Sequence, residues 1–336
     1  MALALSAGIG GLAAASPLIP DDPYFAISWH AATMELPQAW SYSRGSVGVV
    51  VAVVDTGVIP TEPDLQGRVL PPLSVFGPAG PADEDYRHGT WVASALSMGI
   101  NNGIGGVGVG QFSILPVQAT IGDVTKPEWI ADGIRLAADH GARVINVSLH
   151  ALTYGRIDEA AQYARSKGAL TFIAAGNDNM EISMPAYDNL IFVSGTDRHD
   201  HRWGADPGST SGSTYGPFVD LSAPAQSIVV ADSIDPNLPH HYGLISGTSF
   251  AAPLAAGAAA LAWSINPNLT ADQVESMLYN TALDLGKPGW DKEFGWGRVN
   301  AGAIAIAAAA TVPEPAALPI FASLTLCLLV RRRCRS

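Results

Sequence analysis

The sequence predicts an α/β protein in which a mostly parallel central sheet lies between two layers of helices. Two patterns support this prediction: five short runs of apolar residues, and segments with helical spacing between some of them. Strands that are buried on both faces appear as continuous apolar runs, because neither face meets water. When helices separate such strands along the chain, the strands pair in parallel and a three-layer fold results.

The apolar runs are predicted strands, and a helix is predicted on either side of the third run. We expect the five strands at residues 47–54, 112–117, 143–149, 170–175 and 190–194. We expect helices at 127–140 and 157–166, because Gly141 and Gly168 stand where a glycine commonly ends a helix. No interior linker divides residues 21–310, so one large domain is predicted over this range.

The composition permits a large core and argues against nucleic acid as a partner. Of the 336 residues, 48% are hydrophobic and 14% are charged, and the formal net charge is −12. An acidic protein repels the phosphate backbone of nucleic acids. Both cysteines, Cys327 and Cys334, lie near the carboxyl end, so residues 21–310 contain neither a disulfide nor a cysteine metal site.

The start of the chain is predicted to serve export. Residues 1–20 are mostly small and apolar, like the end of a secretory signal peptide, although the usual basic start is missing. We interpret them as a signal-peptide remnant. The alternative is a buried N-terminal segment, which Pro17 and Pro20 disfavour because proline interrupts helices and strands.

Residues 311–336 form a tail that combines a Val-Pro-Glu-Pro motif, an apolar stretch at 316–330 and a cluster of arginines. This arrangement resembles the PEP-CTERM sorting tail of exported bacterial proteins. The resemblance implies that residues 316–330 contact the membrane and that an exosortase-type sorting enzyme is a partner. The apolar stretch reaches only about 22 Å as a helix, against roughly 30 Å of hydrocarbon. A plain membrane anchor or an amphipathic tail is therefore the alternative.

Three polar residues stand where active sites form in parallel sheets. Asp55 ends the first predicted strand in VAVVDTGV, His88 enters an apolar helix in RHGTWVAS, and Ser249 opens another helix in SGTSFAAP. The carboxyl ends of parallel strands meet at one edge of the sheet, where ligands bind. Each residue alone also has a structural interpretation: a turn cap, a structural histidine and a helix N-cap.

In the order Asp, His, Ser, the three motifs resemble those of the subtilisin-like serine proteases (subtilases, peptidase family S8). The resemblance covers nearly all of residues 21–310 and implies a subtilisin-like fold. It also implies that Asp55 orients His88, that His88 acts as general base and then general acid, and that Ser249 is the nucleophile. A serine hydroxyl is scarcely ionised at neutral pH and needs a base within about 3 Å.

A fourth motif, Ala-Ala-Gly-Asn at 174–177, resembles the family segment whose asparagine holds the developing oxyanion together with the backbone N–H of the nucleophile. It implies this role for Asn177, with a plain turn residue as the alternative. The resemblance also implies that the walls of the substrate pocket are Ser148, Leu149, His150, Ala174, Ala175 and Gly176. Small walls favour a large apolar side chain of an extended peptide or protein substrate.

Three positions depart from the family pattern. His150 stands where glycine is common, and Asp123-Val124-Thr125 stands where the edge strand opposite the pocket is commonly glycine-rich. Both changes are expected to narrow the cleft. Trp91 replaces a second histidine that lies outside the triad, so activity is expected to persist.

Segments around residues 22, 62–65 and 99–106 resemble the calcium site of thermitase-type members of the family. The resemblance implies the oxygen ligands Asp22, Asp64, Gly99, Asn102, Ile104 and Gly106. Carboxylate, amide and carbonyl oxygens suit calcium, and a glycine-rich turn without an ion is the alternative. The sequence 197–201, Asp-Arg-His-Asp-His, is interpreted as a solvated loop rather than a transition-metal site.

The function predicted from these features is that of an exported, membrane-tethered serine endopeptidase. The alternative is a catalytically silent surface protein that keeps the fold for binding. An esterase with the same triad is the least favoured reading, because the G-x-S-x-G elbow expected of that fold is missing.

Overall fold

A parallel sheet lies at the centre of the computed structural model, which describes residues 16–79, 87–122, 124–151, 153–231 and 242–313. The strands of these residues are β1 (Val50–Asp55), β2 (Leu73–Ser74), β3 (Ser113–Gln118), β4 (Thr120–Ile121), β5 (Val124–Thr125), β6 (Val144–Val147), β7 (Leu170–Ala174), β8 (Leu190–Thr196), β9 (Leu221–Pro224), β10 (Ile228–Ala231) and β11 (Tyr242–Ile245). Seven of them form one sheet in the order β2-β3-β1-β6-β7-β8-β9, with every neighbouring pair parallel. Two antiparallel hairpins, β4–β5 and β10–β11, stand apart from it.

The helices cover both faces of the sheet. They are α1 (Trp29–Thr33), α2 (Leu36–Trp40), α3 (His88–Ser97), α4 (Pro127–Asp139), α5 (Gly155–Ser166), α6 (Thr248–Ile265), α7 (Ala271–Thr281) and α8 (Ala301–Ala310). Successive residues of β1 show why: Val51 and Val53 pack in a core with α3 and α6, while Ala52 and Val54 pack in a second core with α4 and α5. Side chains alternate across a strand, so a strand between two helix layers must be apolar throughout. The predicted three-layer α/β fold is confirmed.

The five predicted strands are all present, with small shifts at their ends. The first begins at Val50 rather than at residue 47, because the backbone N–H of Val49 donates to the carbonyl of Ser46 in a turn outside the sheet. The two predicted helices correspond to α4 and α5. Gly141 and Gly168 follow them with φ of +81° and +87°, the left-handed conformation that glycine adopts without strain.

Helix α6 is the central helix of one layer and carries the third motif at its first turn. It packs against strands β6, β7, β8 and β9. It is long and apolar enough to cross a membrane, yet 83% of its 18-residue window is buried in the protein. Helix α6 is therefore a core helix, and the core positions its N-terminus at the carboxyl edge of the sheet.

Candidate active site

The three motif residues lie at the ends of elements that converge on one edge of the sheet. Asp55 is the last residue of β1 and is fully buried, His88 is the first residue of α3, and Ser249 is the second residue of α6. The ring of His88 lies 6.3 Å from the ring of Phe250, the residue after Ser249, and 6.4 Å from the ring of Trp91. The fold thus brings together residues that are far apart in the sequence.

Asp55 holds the imidazole of His88 through one ring nitrogen. His88 Nδ1 lies 2.9 Å from Oδ1 and 3.0 Å from Oδ2 of Asp55, and Oδ1 also accepts the backbone N–H of Thr56 at 2.7 Å. Burial alone lowers the pKa of His88, but the charge of Asp55 and its hydrogen bond outweigh burial, so the pKa lies above its usual value. Because Nδ1 faces the carboxylate, Nε2 points away from Asp55.

Ser249 is linked to Ser148 by two hydrogen bonds. Ser148 Oγ donates to the Ser249 carbonyl at 2.8 Å, and Ser249 Oγ donates to the Ser148 carbonyl at 3.4 Å. The latter bond is long, so rotation about Cα–Cβ can redirect the hydroxyl at little cost. In the described part of the chain, Ser249 Oγ therefore bonds to a carbonyl and not yet to His88. Catalytic hydrogen bonds are often long or misaligned before substrate binds.

The amide of Asn177 has a defined orientation. Its Oδ1 accepts hydrogen bonds from both the backbone N–H and the hydroxyl of Thr248, each at 2.9 Å. The hydroxyl of Thr248 in turn accepts the backbone N–H of Gly176 at 3.1 Å. Both donors bind Oδ1, and Asn177 is one of the residues that line the pocket beside Ser249.

A pocket of about 210 Å³ opens beside Ser249 and Asn177. Its other lining residues are Ser148, Leu149, His150, Ala174, Gly176, Asp178 and Thr248. Five of the six predicted wall residues are in this lining. Ala175 is not, because it faces the opposite side of the sheet from Ala174 and packs in the core with α4 and α5.

The segment that the family resemblance places opposite the pocket forms a tight hairpin. Thr120 pairs with Thr125 and Ile121 pairs with Val124, so strand β5 already has a partner on one side. Ile121 and Val124 are 57% and 55% exposed. Asp123, which is expected with Val124 and Thr125 to narrow the cleft, lies outside the described residues.

The comparison with known proteins decides the family. The profile of the subtilase family (peptidase S8) matches residues 46–297, which contain Asp55, His88, Asn177 and Ser249. The chain belongs to the subtilase family. It is a serine endopeptidase by family, as the sequence motifs predicted.

Individual relatives agree with this placement. Thermitase of Thermoactinomyces vulgaris is 36% identical to this subtilase over 292 residues, which cover 84% of this chain and 97% of thermitase. The halolysin-like extracellular serine protease Nep of Natrialba magadii is 34% identical over 296 residues, which cover 84% of this chain and 52% of Nep. A solved structure of proteases from Pseudoalteromonas arctica PAMC 21717 has a TM-score of 0.71 and 30% identity, and covers 88% of this chain and 100% of that one.

The predicted calcium ligands of this subtilase also lie together. Asp22 and Asp64 are 4% and 1% exposed. The carboxylate of Asp22 accepts the backbone N–H of Asn101 at 2.7 Å and of Asn102 at 3.0 Å. Asp64 Oδ1 accepts the backbone N–H of Gly99 at 3.0 Å and Nδ2 of Asn102 at 2.8 Å. A Cβ on Gly105 would lie 2.1 Å from Asp64 Oδ2, so the Ile104–Gly106 stretch passes directly over this carboxylate.

The chemistry of these residues fits a calcium ion. Burial raises the pKa of Asp64 to about 6 and also raises the pKa of Asp22. Arg68 is near, but its guanidinium donates to the backbone carbonyls of Asp64 and Ser97. Among the described residues, the two buried carboxylates therefore accept hydrogen bonds but form no ion pair with a lysine or arginine side chain. Asn102 presents Nδ2 to Asp64, so ligation through its oxygen requires the amide to turn over.

The structure also locates functional candidates that the sequence motifs do not identify. Thr248 orients Asn177, and Asp178 lines the pocket. Each is next to a motif residue, and that adjacency was the available signal. The contact of Ser148 with Ser249 joins residues 101 apart and left no local signal. The 197–201 segment is a surface loop in which Asp197 Oδ1 accepts the backbone N–H groups of His199 and His201.

Proposed function

We propose that this subtilase hydrolyses peptide bonds in extended protein segments, with Asp55, His88 and Ser249 as its triad and Asn177 as an oxyanion donor. The observation that carries the proposal is the double contact of His88 Nδ1 with Asp55, at 2.9 and 3.0 Å. It selects the tautomer in which Nε2 can accept a proton. Ser249, the proposed nucleophile, is the second residue of helix α6, and the ring of the next residue, Phe250, lies 6.3 Å from the ring of His88.

The reaction begins when a substrate fills the cleft and Ser249 Oγ turns from the Ser148 carbonyl to His88 Nε2. Oγ attacks the scissile carbonyl carbon while its proton passes to Nε2, and Asp55 stabilises the resulting imidazolium. The carbonyl oxygen becomes negative and accepts hydrogen bonds from Asn177 Nδ2 and the backbone N–H of Ser249. His88 then gives the proton to the leaving amine, and a water molecule releases the acyl group by the same steps in reverse order.

Active-site labelling tests this proposal. A fluorophosphonate reacts only with an activated serine, so the full chain should be labelled at Ser249. Ser249→Ala should abolish labelling while leaving thermal unfolding nearly unchanged, because the hydroxyl makes one long hydrogen bond. A folded wild-type protein that resists labelling would support the alternative of a silent binding protein on the same fold.

We propose that Asp22, Asp64 and Asn102, together with the carbonyls of Gly99, Ile104 and Gly106, hold a structural calcium ion. Support comes from the two buried carboxylates and from the raised pKa of Asp64. The ion would supply positive charge to both carboxylates and tie the chain near residue 22 to the 99–106 loop. It has no part in the peptide hydrolysis described above.

We propose further that the protein is exported and tethered at the membrane or cell surface, with residues 21–310 as the extracytoplasmic catalytic domain. Residues 1–15 and 314–336 lie outside the described residues, so most of the signal remnant (1–20) and of the sorting tail (311–336) rests on sequence alone. Of the described residues in these segments, Leu18 donates its backbone N–H to the carbonyl of Pro37, and Thr311 accepts Nδ2 of Asn266. The name of Nep as an extracellular protease supports export.

The tail is tested by replacing Arg331, Arg332 and Arg333 with glutamine. If an exosortase-type enzyme reads the tail, the protein should remain unsorted and fractionate differently from the wild type. A matched change of Arg156, on the surface of α5, should leave sorting unchanged. Surface anchoring that survives the triple change would contradict the sorting proposal.

A further inference from the structure

The segment that carries Asn177, the proposed oxyanion donor, is held by backbone contacts with residues 212–215. The carbonyl of Asn177 accepts the N–H of Gly212 at 3.2 Å, and the carbonyl of Gly176 accepts the N–H of Thr214 at 2.9 Å. Both segments lie outside strands β7, β8 and β9, so the regular ladder of the sheet does not fix them. The position of the Asn177 backbone therefore depends on whatever fixes these two segments to each other.

Asn179, two residues after Asn177, lies where the two segments meet most closely. Its φ is +52°, a left-handed conformation that asparagine adopts more readily than most residues. Its N–H donates to the carbonyl of Gly212 at 2.9 Å, and its Nδ2 donates to the carbonyl of Ser209 at 3.1 Å. A Cβ on Gly212 would lie 2.6 Å from Cα of Gly204 and 2.8 Å from Asn179 Oδ1. The amide of Asn179 is thus packed into the junction.

One guanidinium nitrogen of Arg202 connects the two sides of this junction. Its Nη1 donates to Asn179 Oδ1 at 2.7 Å and to the carbonyl of Ser213 at 2.8 Å. The guanidinium carbon lies 4.6 Å from the centre of the Tyr215 ring, in a cation–π contact. Glu293 lies 3.8 Å from Nε, which is too long for a hydrogen bond. With a side chain only 10% exposed, Arg202 links Asn179 to Ser213 from inside the protein.

We propose that Arg202 is a positioning residue for the oxyanion donor Asn177, through its hydrogen bonds to Asn179 and Ser213. This proposal rests on the proposed peptidase function and deepens it. Arg202 is not among the residues that line the pocket beside Ser249, so its effect must pass through other groups. Oxyanion donors act at about 2.7–3.1 Å, and a misplacement of about 1 Å can cost up to about 10²-fold in rate. A shift of the Asn177 segment is therefore enough to slow acyl transfer.

The variant Arg202→Met keeps the aliphatic stem and removes every donor. It should lower kcat about tenfold and change KM less than about twofold, because the pocket walls bind the ground state while the oxyanion donor acts in the transition state. Arg202→Lys keeps a charged donor and should recover most of kcat. Arg198→Met is the matched control, since Arg198 is an exposed residue nearby in the chain, and it should leave kcat unchanged.

A double-mutant cycle separates positioning from general structural support. Asn177→Ala removes the donor and should lower kcat about 10²- to 10³-fold. In that background, Arg202→Met should lower kcat less than about twofold further, because no oxyanion donor is left to misplace. The kcat values are expressed per site labelled by fluorophosphonate, so unfolded protein is not counted. General structural support would lower kcat by the same factor with and without Asn177.

A second variant covers the case in which Arg202→Met does not fold. Asn179→Gly removes the acceptor of the Arg202 hydrogen bond, and glycine adopts a φ of +52° without strain. It should lower kcat in the same way, and the loss should again disappear in the Asn177→Ala background.

The proposal is overturned if the folded variant, Arg202→Met or in its place Asn179→Gly, leaves kcat within about twofold of the wild type. It is also overturned if the variant lowers kcat equally in both backgrounds. Failure of the proposed function gives a different result. A folded wild-type protein that is not labelled at Ser249 loses the peptidase function, and an enzyme whose kcat survives Asn177→Ala loses the oxyanion role of Asn177. An enzyme that passes both tests and shows no coupling to Arg202 loses only the positioning role.

Discussion

At the scale of single residues, Ser148 connects the pocket wall to the backbone of Ser249, the proposed nucleophile. Its hydroxyl accepts Nδ2 of Asn146 at 2.9 Å and donates to the carbonyl of Ser249 at 2.8 Å. That carbonyl has no donor at the usual helix position, because the residue four further on is Pro253, which has no N–H. Ser148 therefore satisfies a carbonyl that the proline leaves open.

Removing this hydroxyl should affect both stability and activity. Ser148→Ala leaves the Ser249 carbonyl and Asn146 Nδ2 without partners in a buried place, at a cost of about 1–3 kcal/mol in the free energy of unfolding. Urea unfolding measures that cost, and the rate of fluorophosphonate labelling should fall as well. Ser166→Ala is the control, since Ser166 is exposed and bonds only to a carbonyl of its own helix. Equal effects of the two changes would show that Ser148 has no special role.

The contact between His88 and Asp55 predicts a pH dependence. The general base must be neutral to accept a proton, and the pKa of His88 is raised above its usual value because the charge of Asp55 outweighs burial. Activity should therefore fall, as the pH drops, at a higher pH than the ordinary histidine value of about 6.5. A pH profile of kcat/KM measures this midpoint.

The variant Asp55→Asn tests the cause of the raised pKa. Without the carboxylate, the midpoint should move to lower pH, and kcat should fall on the order of 10⁴-fold because the imidazole loses its tautomer and its charge partner. A midpoint that stays in place in Asp55→Asn would show that another group sets it.

At the scale of elements, helix α6 approaches the loop before β3 so closely that only glycine fits between them. A Cβ at Gly257 would lie 2.6 Å from Cβ of Val109. Alanine is a better helix former than glycine by about 1 kcal/mol, but a clash in a packed core costs about 1–3 kcal/mol. Gly257→Ala should thus lower the melting temperature.

Gly155, the first residue of α5, is the matched comparison for Gly257. A Cβ there meets nothing within 4 Å. Gly155→Ala should leave the melting temperature unchanged or raise it slightly, because it removes chain freedom from the unfolded state. If both variants moved the melting temperature in the same direction, close packing of α6 would not be the cause.

At the scale of the whole molecule, the proposed calcium site joins parts of the chain that are distant in sequence. Asp22 belongs to the start of the described chain, and Asp64 lies in the single turn Pro63–Leu65. Tyr242 of β11 donates its hydroxyl to Asp64 Oδ2 at 3.1 Å, and β11 leads directly to the Ser249 motif. Stability of this site should therefore affect the position of the nucleophile.

Calcium removal should lower the melting temperature of the intact protein. A ligand bound only to the native state at about 100 times its Kd stabilises by about 2.7 kcal/mol, and a chelator removes that stabilisation. Differential scanning calorimetry with calcium and with chelator measures the difference. Asp64→Asn should abolish most of it, while Asp139→Asn, at an exposed surface position, should not. If chelation left the wild-type melting temperature unmoved, the calcium proposal would be wrong.

Much of the fold could be predicted because its signals are local. Apolar runs identified β1, β3, β6, β7 and β8, since strands between two helix layers need apolar residues on both sides. Strand β9 and helix α7 were missed, although the Thr270–Gln273 capping box at the start of α7 is a readable signal. Strand β2 is two residues long and carries no local pattern at all.

By itself, the sequence determined which side chains could form a catalytic group and at which ends of elements they stand, because motifs and apolar periodicity are properties of neighbouring residues. Only the tertiary structure decided that Ser148 contacts Ser249, that Ala174 rather than Ala175 lines the pocket, and that Asp178 is among its lining residues. These outcomes depend on strand register and helix packing between segments about 100 residues apart. Such contacts are settled when the whole core packs, and no local pattern encodes them.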